Sequence, residues 1–238
     1  MIISTGIRTD IVNHYSDWLL ERFREGFVYT RNPLFPNRVT RYELHPDKVD
    51  AVLFCSKNYE PILSRLTEIT SHYRTFFHYT ITAYGNDIEP NIPPADDRVR
   101  TLQKLSRLVG CERLMWRFDP VFFTDSYPPE RILETFDRLA EQISDYVCGC
   151  SFGFVEAFFS LRTRLPDLLP LDNEIKHDFA RRLSSIAARH SLPLQTCGSN
   201  NTYEEYGIKK SGCYTLDMIG KANGCAFRSA RHLGNRRG

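Results

Sequence analysis

The chain has 238 residues, with 42% hydrophobic and 25% charged residues, which are ordinary values for a soluble globular protein. The formal net charge is only +2, so binding to nucleic acid or to a membrane surface would need a local basic patch. The apolar runs are far shorter than the ~20 residues of a bilayer-spanning helix, and the first residues lack the pattern of a secretory signal. We therefore expect a cytoplasmic protein with no membrane partner.

Short apolar runs alternate with longer amphipathic runs along the chain, which is the pattern of repeated β–α units. Residues 30–37 are rich in Pro and Asn, and this composition predicts a long ordered loop. In chain order the sequence predicts strand 1–6, helix 11–26, strand 51–56, helix 60–73, strand 76–83, helix 96–109, strand 114–118, helix 129–144, strand 146–154, helix 173–190 and strand 192–197.

The predicted strands are apolar throughout, as expected for parallel strands that are covered on both faces. Two α/β architectures fit this pattern: an open doubly wound sheet and a partial (β/α) barrel of the TIM type with about six parallel strands. We favour the partial barrel, because no Gly-rich phosphate loop follows the first strand and polar residues follow almost every strand. The barrel is expected to span residues 1–200, with residues 201–238 as a C-terminal tail that is disordered or loosely packed.

Polar residues gather where the predicted strands end, and in parallel α/β folds these ends form the binding crevice. Each residue also has a plain structural interpretation: Asp10 as a helix cap, Lys57 as a solvated side chain, and Arg117 with Asp119 as a structural ion pair. Taken together, the set predicts a ligand-binding site whose catalytic residues, if there are any, are unknown. The predicted ligand-binding residues are Arg8, Asp10, Lys57, Asn58, Thr82, Tyr84, Glu89, Arg117 and Asp119.

The chemistry of this set favours a small anionic or zwitterionic ligand. Arg8, Lys57 and Arg117 supply positive charge, and arginine binds carboxylates and phosphates in a bidentate manner. The carboxylates Asp10 and Asp119 can orient those cations, transfer protons or hold a ligand amine. No metal-ligand spacing occurs among the scattered histidines, so we predict no metal site.

The seven cysteines are odd in number and lie in a chain expected to be cytoplasmic, so we do not expect a disulfide framework. Cys55, Cys148 and Cys150 fall in predicted strands and are interpreted as packed thiols. Cys197, Cys213 and Cys225 lie near or within the tail, at spacings that match no tight metal motif.

Six motifs follow one another in a fixed order: Ser4-Thr5-Gly6-Ile7-Arg8-Thr9-Asp10-Ile11, Arg31-Asn32-Pro33, Phe54-Cys55-Ser56-Lys57-Asn58, Tyr79-Thr80-Ile81-Thr82-Ala83-Tyr84-Gly85, Ile88-Glu89-Pro90-Asn91-Ile92-Pro93 and Trp116-Arg117-Phe118-Asp119-Pro120. They resemble those of an uncharacterised bacterial family, domain of unknown function 1848, and the resemblance covers about the first 215 residues. The resemblance implies a barrel related to the radical S-adenosylmethionine enzymes, with S-adenosylmethionine and an iron–sulfur cluster held by a C-terminal cysteine run. This sequence departs from the family there, because only Cys225 stands in the matching segment and no three-cysteine run follows it.

Three hypotheses about function follow. The first is a radical S-adenosylmethionine-like enzyme, for which this sequence lacks a complete iron–sulfur site. The second is a protein that binds a small anionic ligand or nucleotide without turnover. The third is weak nucleic-acid binding by the basic tail, through Arg228, Arg231, Arg236 and Arg237 with Tyr203, Tyr206 and Tyr214 as stacking residues.

Overall fold

The computed structural model describes residues 1–6, 9–155, 165, 167–198 and 202–227. Arg8 and the arginines at 228, 231, 236 and 237 lie outside the described residues. The described strands are β1 (Ile2–Ser4), β2 (Phe27–Arg31), β3 (Val39–Glu43), β4 (Ala51–Ser56), β5 (Thr75–Thr80), β6 (Leu114–Val121), β7 (Cys150–Phe154) and β8 (Leu194–Thr196). The described helices are α1 (Ile11–His14), α2 (Ser16–Glu25), α3 (Glu60–Leu63), α4 (Thr67–Thr70), α5 (Ala95–Val109), α6 (Pro129–Ile143), α7 (Asn173–Arg189) and α8 (Leu216–Ala222).

The main sheet has six parallel strands in the order β1-β4-β5-β6-β7-β8, so its order follows the chain and never reverses. The strands form here because their residues are apolar and β-branched or aromatic; every residue of β5, for example, is buried. Helices flank this sheet, as the alternating pattern predicted. The prediction of an α/β fold with six parallel strands is confirmed, and the closure of these strands into a TIM-type barrel stays a prediction.

Two predicted helices are each divided in the structure. The helix expected at 11–26 breaks at Tyr15, which has a non-helical φ of −140°, and the Ser16 hydroxyl donates to the Val12 carbonyl across the break. The helix expected at 60–73 becomes the short helices α3 and α4, with residues 64–66 between them. The predicted apolar face of the second helix is buried at Ile62, Leu66 and Ile69. On the predicted face of the first helix Leu19 is buried, but Tyr15 and Trp18 are 53% and 45% exposed.

The two faces of the main sheet pack against different layers. One face buries large aromatic residues such as Phe54, Phe77 and Trp116 in the principal core. We call the other face the inner face. It carries Leu53, Phe76 and Met115, which form a second cluster with Ile219 and Ala222 of α8. Apolar residues from beyond residue 201 therefore complete the packing of the sheet.

The expectation of a loosely packed tail does not hold for residues 202–227. Lys209 pairs with β8 in a parallel bridge: its N–H donates to the Leu194 carbonyl over 3.0 Å, and its carbonyl accepts from the Thr196 N–H over 3.0 Å. Tyr203 and Ile208 are almost wholly buried. The hydrophobic burial and the added backbone hydrogen bonds offset the entropy of ordering this segment.

The loop predicted at 30–37 is the turn of a two-stranded antiparallel hairpin. β2 and β3 pair in register from Phe27 opposite Glu43 to Arg31 opposite Val39. The Asn32 side-chain oxygen accepts from the N–H groups of Leu34 and Phe35 over 2.9 and 3.2 Å, which fixes the turn. The Pro and Asn residues were correctly predicted to lie in a loop, but Thr30 and Arg31 belong to β2, and both strands of the hairpin were missed.

Candidate functional site

The ends of β4, β5 and β6 bring polar side chains together on the inner face. Parallel pairing places Cys55 beside His78, Thr80 beside Arg117 and Arg117 beside Ser151. Because side chains alternate along a strand, Arg117 and Asp119 lie on the same face as Met115. We call Lys57, Glu89, Arg98, Arg117 and Asp119 the strand-end cluster.

Arg117 and Asp119 form an ion pair within β6. Burial raises the pKa of the Asp119 carboxyl, while the positive charges of Arg117 and Lys57 act in the opposite direction. Gly153 on β7 gives this carboxylate its space, because a Cβ at that position would lie 3.0 Å from Asp119 Oδ1. The other side of the arginine points to a thiol: Arg117 Nη1 lies 3.9 Å from Cys55 Sγ.

Glu89, in the loop after β5, contacts three side chains. It forms an ion pair with Lys57, accepts a hydrogen bond of 2.9 Å from the Thr82 hydroxyl, and lies 3.7 Å from Arg98 Nη1. Burial lowers the pKa of the Arg98 guanidinium, and the charge of Glu89 opposes this effect. The structure thus brings together the predicted residues Lys57, Thr82 and Glu89.

Sequence reasoning missed Arg98, which is 3% exposed although it lies in the first turns of an amphipathic helix. A charged residue on a predicted helix is usually solvated, so its type alone gave no signal. Its position in the helix could have indicated burial, because Arg98 lies at helical spacing from the buried residues Leu102 and Leu105.

The side chains of Asp10 and Asn58 form hydrogen bonds within the protein. The Asp10 carboxylate accepts hydrogen bonds from Asn13 N (2.9 Å), Ser56 Oγ (2.8 Å) and Lys57 N (3.0 Å). Asn58 Nδ2 donates to Asn13 Oδ1 over 2.8 Å, and Asn58 Oδ1 accepts from the Glu60 N–H over 3.1 Å. The capping role considered for Asp10 is confirmed, and both residues tie α1 to the end of β4.

Tyr84 also has a structural setting. Its hydroxyl donates to the Phe122 carbonyl over 2.9 Å and accepts from the Phe122 N–H over 2.7 Å, and the two rings stack with centroids 4.1 Å apart. Burial raises the pKa of this phenol. Tyr84 is therefore a buried anchor for the loop before Glu89.

His78 lies below the strand-end cluster on the inner face and is fully buried. Neither ring nitrogen has a hydrogen-bond partner among the described residues, and the backbone of Cys213 near the ring favours its protonated form only weakly. Burial, reinforced by the charge of Arg117, lowers the pKa of His78 to about 3, so the ring is neutral at physiological pH. Tyr214 covers it, with ring centroids 4.3 Å apart.

The cysteines depart from expectation in one respect: Cys197 and Cys213 form a disulfide, with their Cα atoms 5.0 Å apart. The parallel bridge between Lys209 and β8 places the two residues side by side. Cys225 is a free thiol just beyond α8. Across the described residues, which include all seven cysteines, no three His, Cys, Asp or Glu side chains gather as metal ligands. Since an iron–sulfur cluster takes about three or four thiolates, this arrangement does not fit one.

The fold and the strand-end cluster define an α/β protein with a polar site at the carboxyl ends of parallel strands. More particularly, the chain belongs to the family described as "Domain of unknown function (DUF1848)", which matches residues 2–238. This confirms the family resemblance. No curated protein matches the chain. The helices of the described residues are too short or too polar to cross a bilayer.

Proposed function

We propose that this protein binds a small anionic ligand at the carboxyl ends of β4 to β6, through Lys57 and Arg117. The observation that carries the proposal is that the two cations of the strand-end cluster are more exposed than the carboxylates that pair with them. The side chains of Lys57 and Arg117 are 31% and 29% exposed, whereas their carboxylate partners Glu89 and Asp119 are only 9% and 13% exposed. The carboxylates thus lie deeper in the protein than the two cations. The cations are therefore the groups that an incoming ligand contacts first.

The chemistry of the cluster suits a carboxylate or a phosphate. The Arg117 side chain is 29% exposed, so part of its guanidinium can meet a ligand beyond its pair with Asp119. Glu89 also lies 3.7 Å from Nη1 of the buried Arg98, so a second cation faces this carboxylate beside Lys57. A zwitterionic ligand would place its amine on Asp119. Nucleotides and phosphorylated metabolites are the classes that we favour.

The family resemblance also suggests a radical S-adenosylmethionine-like enzyme, and this stays a hypothesis. The disulfide removes Cys197 and Cys213 from the set of free thiolates. We therefore propose a ligand-binding role that does not depend on an iron–sulfur centre. Whether a reaction follows binding is a separate question for the same site.

The tail hypothesis of nucleic-acid binding loses one of its stacking residues, because Tyr203 is 1% exposed. Tyr206 and Tyr214 are partly exposed, but their rings already pack against His177 and His78. No observation on the described residues favours this hypothesis over anion binding.

A ligand screen with matched charge variants tests the proposal. We would titrate phosphate, AMP, ATP, S-adenosylmethionine and small carboxylates against the protein and follow its melting temperature, since stabilisation rises with site occupancy. Arg117→Gln is expected to abolish the shift. Arg189→Gln is the control, because it removes the same charge from a surface ion pair with Asp137.

Folding of each variant is checked by its far-UV circular dichroism and cooperative melting. Arg117→Lys is a second probe, since it keeps the charge but loses the bidentate geometry, and it should retain part of the affinity. If Arg117→Gln folds and binds every anion as tightly as the wild type does, the proposal is wrong.

A further inference from the structure

The hairpin of β2 and β3 carries an unusual concentration of exposed apolar side chains. Within residues 27–43, Leu34 is 82% exposed and Tyr29 is 59% exposed. Phe35, Val39 and Tyr42 are exposed as well. Single exposed apolar residues need no explanation, but five of them on one short hairpin mark an interaction surface.

The same hairpin is basic. It contains Arg31, Arg38 and Arg41 and only one acidic residue, Glu43, which is paired with Arg41. Two of the arginines lie over aromatic rings: Arg38 over Phe35 at 5.0 Å and Arg41 over Phe27 at 4.5 Å. Because the whole chain has a net charge of only +2, this element is a local basic surface on a nearly neutral protein.

The strand register places two aromatic rings and two cations on one face of the hairpin. Phe27, Tyr29 and Arg31 share a face of β2, opposite Glu43, Arg41 and Val39 of β3. Residues that are two apart on a strand are separated by roughly 6.8 Å. This spacing allows successive side chains to contact successive nucleotides of an extended single strand. In the described residues, β2 and β3 pair only with each other, so both outer edges and much of both faces are open.

The hairpin also lies away from the strand-end cluster. It connects the end of α2 to the segment before β4, and the Leu44 N–H donates to the Gly26 carbonyl over 2.7 Å at its base. Asp50, which directly precedes β4, donates its N–H to the Met1 carbonyl. The hairpin therefore projects from the edge where the strands begin, whereas the cluster lies where they end.

We propose that this hairpin is a binding surface for single-stranded nucleic acid. Aromatic side chains that stack on bases, combined with cations that meet phosphates, are the features by which proteins hold single strands without sequence preference. A second copy of the chain is a poorer occupant, because pairing two hairpins would bring three arginines of each copy together. An uncharged protein surface would offer no charge complementary to this basic hairpin.

Fluorescence anisotropy with a labelled oligothymidylate of about 20 nucleotides tests the proposal, since this length exceeds the site size of a small module. The logarithm of the binding constant should fall with the logarithm of salt concentration at a slope of about −2, as expected for three phosphate contacts on a single strand. Each of Arg31→Gln, Arg38→Gln and Arg41→Gln should make the slope shallower by about 0.7. Tyr29→Ala should weaken binding about tenfold, as expected for one lost stacking contact.

Two matched controls lie elsewhere on the surface. Arg107→Gln removes an exposed arginine that lies over Tyr146, and Tyr15→Ala removes a tyrosine that is 53% exposed. Neither should change the affinity or the salt slope. The proposal is overturned if the triple arginine variant binds as the wild type does, if anionic vesicles bind the hairpin in preference to the oligonucleotide, or if Tyr29→Ala only dissociates a dimer in sedimentation.

Discussion

Arg117 and Asp119 form an ion pair on one face of β6, and the carboxylate is the more buried partner. A buried carboxylate that loses its cation keeps the cost of desolvation without the compensating attraction. This asymmetry decides what each substitution in the pair is expected to do.

The first prediction is therefore a double-mutant cycle. Arg117→Met should lower the free energy of unfolding by about 2 kcal/mol, because Asp119 is left charged and unpaired. Asp119→Asn should cost less, since the partly exposed guanidinium can turn to water. The double variant should be more stable than Arg117→Met alone, as measured by urea denaturation. Simple additivity of the two single changes would show that the pair is not coupled.

Asp10 provides a second prediction, which separates a structural role from a ligand role. Asp10→Ala removes three hydrogen bonds that join α1 to the end of β4, and we expect a loss of about 2–3 kcal/mol of stability. Asp10→Asn should recover part of it, because its oxygen can still cap the helix. Anion affinity, measured well below the melting temperature, should stay unchanged in Asp10→Asn. A selective loss of affinity at full stability would return Asp10 to the binding site.

Part of the fold and of the strand-end cluster could be predicted from the sequence. The apolar strands and amphipathic helices were predictable because burial imposes their periodicity, as in β4 and α6. The ion pair of Arg117 and Asp119 was also predictable, since two residues on one strand share a face. Glu89 with Arg98 was not, because their contact joins a loop to a helix and depends on tertiary placement.

The Cys197–Cys213 disulfide was missed for the same reason. Spacing along the chain gave no indication that residues 208–211 run beside β8. Tyr214 was likewise assigned to a loosely packed tail, and only the fold shows that it stacks on His78.

The disulfide leads to a third prediction. The bond closes a loop across 16 positions of sequence, and removing such a link is expected to cost about 3 kcal/mol of stability. Cys197→Ser with Cys213→Ser should show this loss in urea, and a dithiol reductant should reproduce it in the wild type. Cys111→Ser, at an exposed free cysteine, is the control and should change little. Equal stability of the reduced and oxidised wild type would mean that the bond does not stabilise the fold.

His78 leads to a fourth prediction, about acid stability. Its pKa in the folded protein is lowered to about 3, from 6.5 when exposed. Between these values the unfolded chain binds a proton that the folded protein does not, so stability falls as the pH falls. The expected slope is about 1.4 kcal/mol per pH unit over that window. His78→Phe should remove this component, whereas His72→Gln, at an exposed histidine, should retain it. Identical pH profiles for wild type and His78→Phe would contradict the assignment.

The last prediction connects the pKa of Asp119 to ligand binding. Burial raises that pKa above its ordinary value of 3.8, so the carboxyl takes up a proton at a higher pH in the folded protein than in the unfolded chain. Stability therefore rises as the pH falls through the folded pKa. Protonation also frees Arg117 from its intramolecular partner. An anion that binds Arg117 should consequently bind more tightly as the pH decreases from neutrality toward that pKa.

Sulfate is the appropriate probe, because its own charge stays constant over this range. In wild-type protein its affinity should increase as the pH is lowered, with net proton uptake on binding that calorimetry in buffers of different ionisation enthalpy can detect. Asp119→Asn should bind sulfate more tightly at neutral pH, and its affinity should no longer depend on this proton. Lys57→Gln should weaken binding but keep the pH dependence, since Asp119 and Arg117 remain. If Asp119→Asn keeps the full pH dependence, the proton belongs to another group and Asp119 does not compete with the ligand for Arg117.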